Sequence, residues 1–172
     1  MESKGPRENR DVSIGSDTFA WRRDLPHLQK VGKTYFVTFC SDQRRVLTPS
    51  ARDAALASCL CGHHHSYFLH TAVIMPDHVH LIFTLYDQTT LPATMKLIKS
   101  TSSRRIGRGT TWQREYFDRA VRSDEDLRAK CEYVAANPVR AGLVRSVDEY
   151  PWVWRWWVEG KLPAPVRTPA PH

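Results

Sequence analysis

Tyr67-Phe68-Leu69-His70-Thr71-Ala72-Val73-Ile74-Met75-Pro76-Asp77-His78-Val79-His80-Leu81-Ile82-Phe83-Thr84-Leu85 reads as two strands joined by a tight break. The first run, to Met75, is aromatic and β-branched, the composition that suits a pleated, half-buried surface. Pro76-Asp77 interrupts it, and so short a break joins neighbours running in opposite directions. The second run alternates. His78, His80, Ile82 and Thr84 share one face, while Val79, Leu81, Phe83 and Leu85 share the other and look like core. An antiparallel hairpin is the expectation.

Working outward, Thr34 to Cys40 is another aromatic and β-branched run and reads as a first strand. Thr48-Pro49-Ser50 can open a helix, with Thr48 or Ser50 at its cap and an end near Gly62. A second helix is expected from Leu91 to about Arg105, with Met95, Ile98 and Ser102 on its inner side. Thr110 to Val121 alternates charge with bulk and reads as a fourth strand. Ser123 then caps a third helix from Asp124 to about Ala136, its first-turn acids complementing the helix dipole, and Asn137-Pro138 stops it. The order β-α-β-β-α-β followed by a helix predicts an α+β fold. It is a ferredoxin-like sandwich with an antiparallel sheet.

One domain over 21–160 is expected within the 172 residues, with a flexible lead over 1–20 and a proline-rich tail over 161–172. Tyr150 to Trp157 holds four of the six tryptophans, which suits either base stacking or packing of a C-terminal element onto the sheet. Cys40, Cys59, Cys61 and Cys131 match neither a zinc ribbon nor a redox pair and read as reduced thiols of a cytosolic protein. The polar, charged start is no secretory signal, and no apolar run reaches transmembrane length. His63-His64-His65 reads as an exposed loop run.

The formal charge of +7 suggests an acidic partner, with nucleic acid first, although an ordinary basic protein would have the same balance. Lys96, Lys99, Arg104, Arg105 and Arg108 lie on or just after the second helix, and Arg114, Arg119 and Arg122 continue the run. They form either a phosphate track or a solvated charged face. Arg22 and Arg23, beside Trp21, can reach a groove or an unpaired base.

Two imidazoles on one strand face need an account, because a buried histidine without a partner is costly. Joint ligation of a divalent metal is one; hydrogen bonding near a strand end is the other. On the third helix Leu127, Cys131 and Val134 follow the core stripe, whereas Ala129, Tyr133 and Asn137 lie on a different one. Tyr133 and Asn137 are one turn apart, so a phenol and an amide oxygen face the same way. Together with the histidines they suggest a metal-assisted nucleophile. The plainer alternatives are an Asn-Pro stop signal and a surface tyrosine packed at its base.

Met75 to Phe83, then Trp112-Gln113-Arg114-Glu115-Tyr116-Phe117-Asp118-Arg119, then Tyr133 to Val144 resemble, in this order and separation, the single-tyrosine HUH transposases. Among these the chain is most similar to the REP-associated tyrosine transposases, from about Trp21 through Tyr150-Pro151-Trp152. The resemblance implies a single-stranded DNA endonuclease and strand transferase. It acts at hairpin-containing repeats through a 5′-phosphotyrosine, with Mg²⁺ or Mn²⁺ as cofactor. It places the paired histidines on His78 and His80, the nucleophile on Tyr133 and the polar ligand on Asn137, where relatives often carry the longer glutamine. It also implies a nucleoid-associated cytoplasmic protein, a monomer or homodimer. Tyr116 is the rival nucleophile, on a strand segment and with no amide one helical turn beyond it. A non-catalytic nucleic-acid-binding module and a phosphodiesterase using water are the competing function classes, and neither would form a covalent DNA adduct.

Overall fold

The alternation of Thr34–Cys40 builds β1 as read, with Tyr35, Val37 and Phe39 buried on one face. In a computed structural model describing residues 32–107, 111–122 and 126–158, it is followed by α1 (Pro49–Leu60), β2 (Tyr67–Ile74) and β3 (His78–Leu85). Then come α2 (Leu91–Ile106), β4 (Phe117–Ala120), α3 (Leu127–Ala135), α4 (Asn137–Arg140) and β5 (Val153–Arg155). All strand pairs are antiparallel, in the order β4-β1-β3-β2-β5. This is the expected β-α-β-β-α-β arrangement with one strand added beside β2. Among the described residues no helix is long and apolar enough to cross a membrane.

The sheet separates two cores. On one face Val79, Leu81, Phe83 and Leu85 of β3 meet Ala51, Ala55 and Leu56 of α1 and Leu91, Met95 and Ile98 of α2. On the other, Ile82 with Val73 and Met75 meets Cys131 and Val134 of α3 and the ring of Tyr150. β2 serves both by alternation, Val73 facing α3 between Ala72 and Ile74, and its register shifts between Leu69 and Thr71. Tyr67 and Leu69 point to the α1/α2 side before the irregularity, and Ala72 and Ile74 do so after it.

Local chemistry sets the boundaries. Thr48 and Thr90 cap α1 and α2 by accepting from the amides of Ala51 and Ala93, each with a proline in the first turn. Gly62 lies against the Tyr67 ring so closely that a Cβ there would fall 2.3 Å from it. The Tyr67 hydroxyl, fully buried, donates to the Cys59 carbonyl at 2.7 Å.

Two expectations need correction, and two hold with an element added. The fourth strand is four residues long rather than twelve. Trp112 makes only an isolated bridge to Ser41; its ring packs edge-on to Phe39 and its indole donates to Ser102 at 2.7 Å. The carbonyls of Gln113, Arg114 and Glu115 then all turn to the Lys99 ammonium, at 2.8, 2.9 and 3.1 Å, and a chain so turned cannot continue the ladder. Second, α3 begins at Leu127, with the Asp126 carboxylate accepting from the Ala129 amide as its cap. Third, α3 ends at Ala135, before Asn137-Pro138 as expected, but these two residues then open a further short helix, α4, where a proline needs no amide proton. Fourth, the packing reading of the tryptophan-rich segment holds: it contributes β5, with Trp154 buried in the α1/α2 core. The lead, the tail, Arg22, Arg23, Arg108 and Ser123 lie outside the described residues.

Candidate active site

His78 and His80 stand on the face of β3 opposite the α1/α2 core, as their spacing requires. Their Nε2 atoms are 3.1 Å apart. The outer nitrogen of each ring is already engaged. His78 Nδ1 lies 2.6 Å from Asp77 Oδ1, and a carboxylate only accepts, so this nitrogen carries the proton. His80 Nδ1 lies 2.8 Å from Thr38 Oγ1, on the residue paired with it across β1. With Nδ1–H donating to Thr38, two Nε2 lone pairs face one another and a cation between them would take both; with the Thr38 hydroxyl donating instead, His80 Nε2–H donates to His78 Nε2. Two ligands at right angles and about 2.1 Å from a common cation stand about 3.0 Å apart, so the observed spacing suits joint ligation. A carboxylate behind a ligating imidazole is also the usual way to fix its tautomer.

The surroundings keep both rings neutral, the form that ligates metal. Burial pulls His78 below its ordinary value, with the Arg44 charge adding to the effect and Asp77 opposing it. Burial, then His78, Arg140 and Arg44, push His80 down to about 3. Asp77 is itself held in place. Its second oxygen pairs with Arg44 Nε at 2.9 Å, and its carbonyl accepts from both the amide and hydroxyl of Ser41, at 2.8 and 3.0 Å. Gln43 and Arg44, at φ 52° and 56°, take left-handed backbone to make that loop.

Tyr133 lies in the last turn of α3, between the buried Cys131 and Val134 but on another side of the helix, and is 45% exposed. The break after Ala135 gives Asn137 a local duty. In an unbroken helix the Val134 carbonyl would accept from residue 138, but Pro138 has no N–H. Asn137 Nδ2 donates there instead, at 2.9 Å. That fixes the amide so that Oδ1 faces away, where Arg140 Nη2 donates to it at 2.7 Å. Arg140 also donates through Nη1 to the Tyr133 carbonyl at 2.6 Å and lays its guanidinium 3.9 Å above the Tyr133 ring. Tyr133, Asn137 and Arg140 form one unit, and the Arg140 charge reaches His80. Among the described residues no three His, Cys, Asp or Glu side chains gather to hold a metal, so a third protein ligand would have to be of another type.

Tyr116 belongs to the opposite side. It packs against the α1/α2 core beneath the Lys99 ammonium, and burial, then Asp118 and Glu115, push its phenol up to about 12. The cations also divide. Lys96, Arg104 and Arg105 are exposed on α2, across the sheet from the histidines, and Arg105 reaches back to Ser58 and Cys61. Lys99 is spent on the 113–115 carbonyls and burial lowers it to about 8, so it does not offer a free charge to a phosphate track. Arg114 is exposed at the bend. Arg119 pairs across the ladder with Phe36, whose ring stacks on His80, so Arg119 stands on the histidine side. Sequence reasoning missed Thr38, Arg44 and Arg140 and weighed Asp77 only as a base. Arg140 had a signal: it lies three residues beyond Asn137 and seven beyond Tyr133, on the same helical stripe.

The model of the family "Transposase IS200 like" matches residues 30–137, from before β1 through Asn137. A REP-associated tyrosine transposase of Escherichia coli is 27% identical over 124 residues, covering 70% of this chain and 75% of that protein. A putative REP-associated tyrosine transposase of Haemophilus influenzae is 24% identical over 148 residues, with 77% and 82% covered. Among solved structures, a REP-associated tyrosine transposase bound to a REP hairpin shares the fold. Its TM-score is 0.64 at 23% identity, covering 77% of this chain and 82% of that one.

Proposed function

Because the chain belongs to the IS200-like transposase family, we propose that it cuts and rejoins single-stranded DNA at hairpin-containing repeats as a divalent-metal enzyme. The observation that carries this reading is the pair of Nε2 atoms 3.1 Å apart, with Asp77 and Thr38 behind them. His78, His80 and Asn137 would hold Mg²⁺ or Mn²⁺. When bound, the cation would neutralise charge developing on the scissile phosphate.

Tyr133 is the nucleophile in this reading. Its hydroxyl oxygen attacks phosphorus and loses its proton. The bond from phosphorus to the 3′ oxygen breaks, and that oxygen leaves protonated as a free 3′-hydroxyl. The new phosphotyrosine keeps a diester, so an incoming 3′-hydroxyl can reverse the step and join strands. Tyr116 fits the role less well, being on the far side of the sheet with a phenol harder to ionise. Arg44, Arg119 and Arg140 supply positive charge on the histidine side, and Lys96, Arg104, Arg105 and Arg114 form an outer surface for flanking phosphates. The REP hairpin held by the solved relative supports a hairpin as the substrate.

The test is protein with end-labelled single-stranded hairpin DNA and Mn²⁺, resolved under denaturing conditions. Wild type forms a covalent adduct and Tyr133→Phe forms none. An adduct in Tyr133→Phe would move the nucleophile elsewhere. Cleavage without adduct would assign the attack to water, and binding alone would make the chain a hairpin-binding module.

A further inference from the structure

We propose that Arg140 restrains the candidate cation site, holding the Asn137 amide oxygen in the free protein and giving it up when a DNA phosphate arrives. The inference rests on the roles proposed above for His78, His80 and Asn137. Its basis is the position of one guanidinium, which donates to Asn137 Oδ1 at 2.7 Å and to the Tyr133 carbonyl at 2.6 Å and covers the Tyr133 ring at 3.9 Å.

Asn137 cannot turn its oxygen freely, because its Nδ2 donates to the Val134 carbonyl at 2.9 Å, in the place of the amide proton that Pro138 lacks. The oxygen that would ligate a cation is therefore the one Arg140 already binds. An amide oxygen has two lone pairs and can accept twice. A divalent cation beside a guanidinium on the same oxygen is repelled, however. Cation binding in the free protein therefore works against Arg140. A phosphodiester offers the guanidinium a stronger, two-oxygen partner than an amide. Once Arg140 turns to phosphate, Asn137 Oδ1 is free and the positive charge is matched. Metal affinity is thus coupled to DNA binding through a positioning residue, and the DNA-free protein holds its cation weakly.

The experiment measures Mn²⁺ binding by the electron paramagnetic resonance signal of free Mn²⁺. It uses the full chain, with and without an uncleavable hairpin in which a methylene replaces the scissile 3′ oxygen. Wild type should bind Mn²⁺ more tightly with the hairpin than without. Arg140→Gln should bind it roughly three- to tenfold more tightly than wild type in the absence of DNA, the scale of removing one like charge from a half-buried site. The same variant should lose the enhancement by DNA and form adduct about tenfold more slowly or worse. Arg140→Lys, which keeps the charge but not the fork, should fall between them and serves where the glutamine variant does not fold. A purely structural arginine would weaken Mn²⁺ binding and adduct formation together. Equal or weaker Mn²⁺ binding by Arg140→Gln, or by the lysine variant in its place, overturns the proposal. A wild type whose Mn²⁺ binding is unchanged by His80→Ala sinks the assignment of the cation site itself, a separate failure.

Discussion

The two faces of the sheet use the same strands for different ends. On the α1/α2 side, Val79, Leu81 and Phe83 of β3 are wholly buried among apolar neighbours. On the α3 side the intervening residues are His78, His80 and Ile82, and α3 covers only part of that face, leaving Tyr133 half-exposed. The first face carries the larger core and the second carries convergent polar groups. A single period of two along β3 assigns each residue to one task. The site is therefore held on a rigid element whose other side anchors the fold, and substitutions on the two faces should separate function from stability.

Tyr133→Phe gives the sharpest contrast. It should lower adduct formation at least about a thousandfold while moving unfolding stability by less than about 0.5 kcal/mol, as chemical denaturation would show. Phe83→Ala is its mirror. It should cost about 3–5 kcal/mol of stability, yet the protein that remains folded should form adduct at a near-normal rate. A variant on the α1/α2 side that abolished adduct formation without unfolding would break the division. Gly62→Ala should cost about 1–3 kcal/mol by forcing the buried Tyr67 ring aside.

The smallest effect is one of pH. His70 sits at the β2 irregularity with Nε2 2.8 Å from Thr84 Oγ1, and burial, then His63, lower it to about 4. The unfolded chain takes up that proton first, near pH 6.5. The contribution is complete above about pH 6.5 and is lost as pH falls toward 4. Because the ring is partly solvated, its share is on the order of 1 kcal/mol. His78 and the more strongly shifted His80 act in the same direction, so His70→Gln should flatten the acid limb of the stability curve without abolishing it.

Composition and periodicity carried the reading of the three central strands and first two helices, because aromatic and β-branched runs mark the strands and Thr48-Pro49 marks the start of α1. It failed where a distant side chain decides. Nothing local in Gln113-Arg114-Glu115 shows that Lys99 will draw three successive carbonyls off the ladder. Packing of the tryptophan-rich segment onto the sheet was one of two readings, and nothing local singles out Trp154 as the ring that enters the core. At the site, spacing alone aligned His78 with His80 and Tyr133 with Asn137. What was not legible is that Arg140 binds both Tyr133 and Asn137, because it does so from α4, beyond the end of α3.

The two outermost strands are very short, four residues in β4 and three in β5. An incoming extended segment would find few backbone groups to grip at either border of the described sheet, which guards against the stacking of chains into fibrils. Copies that pair would therefore have to recognise one another through side-chain surfaces, leaving the sheet itself a closed unit.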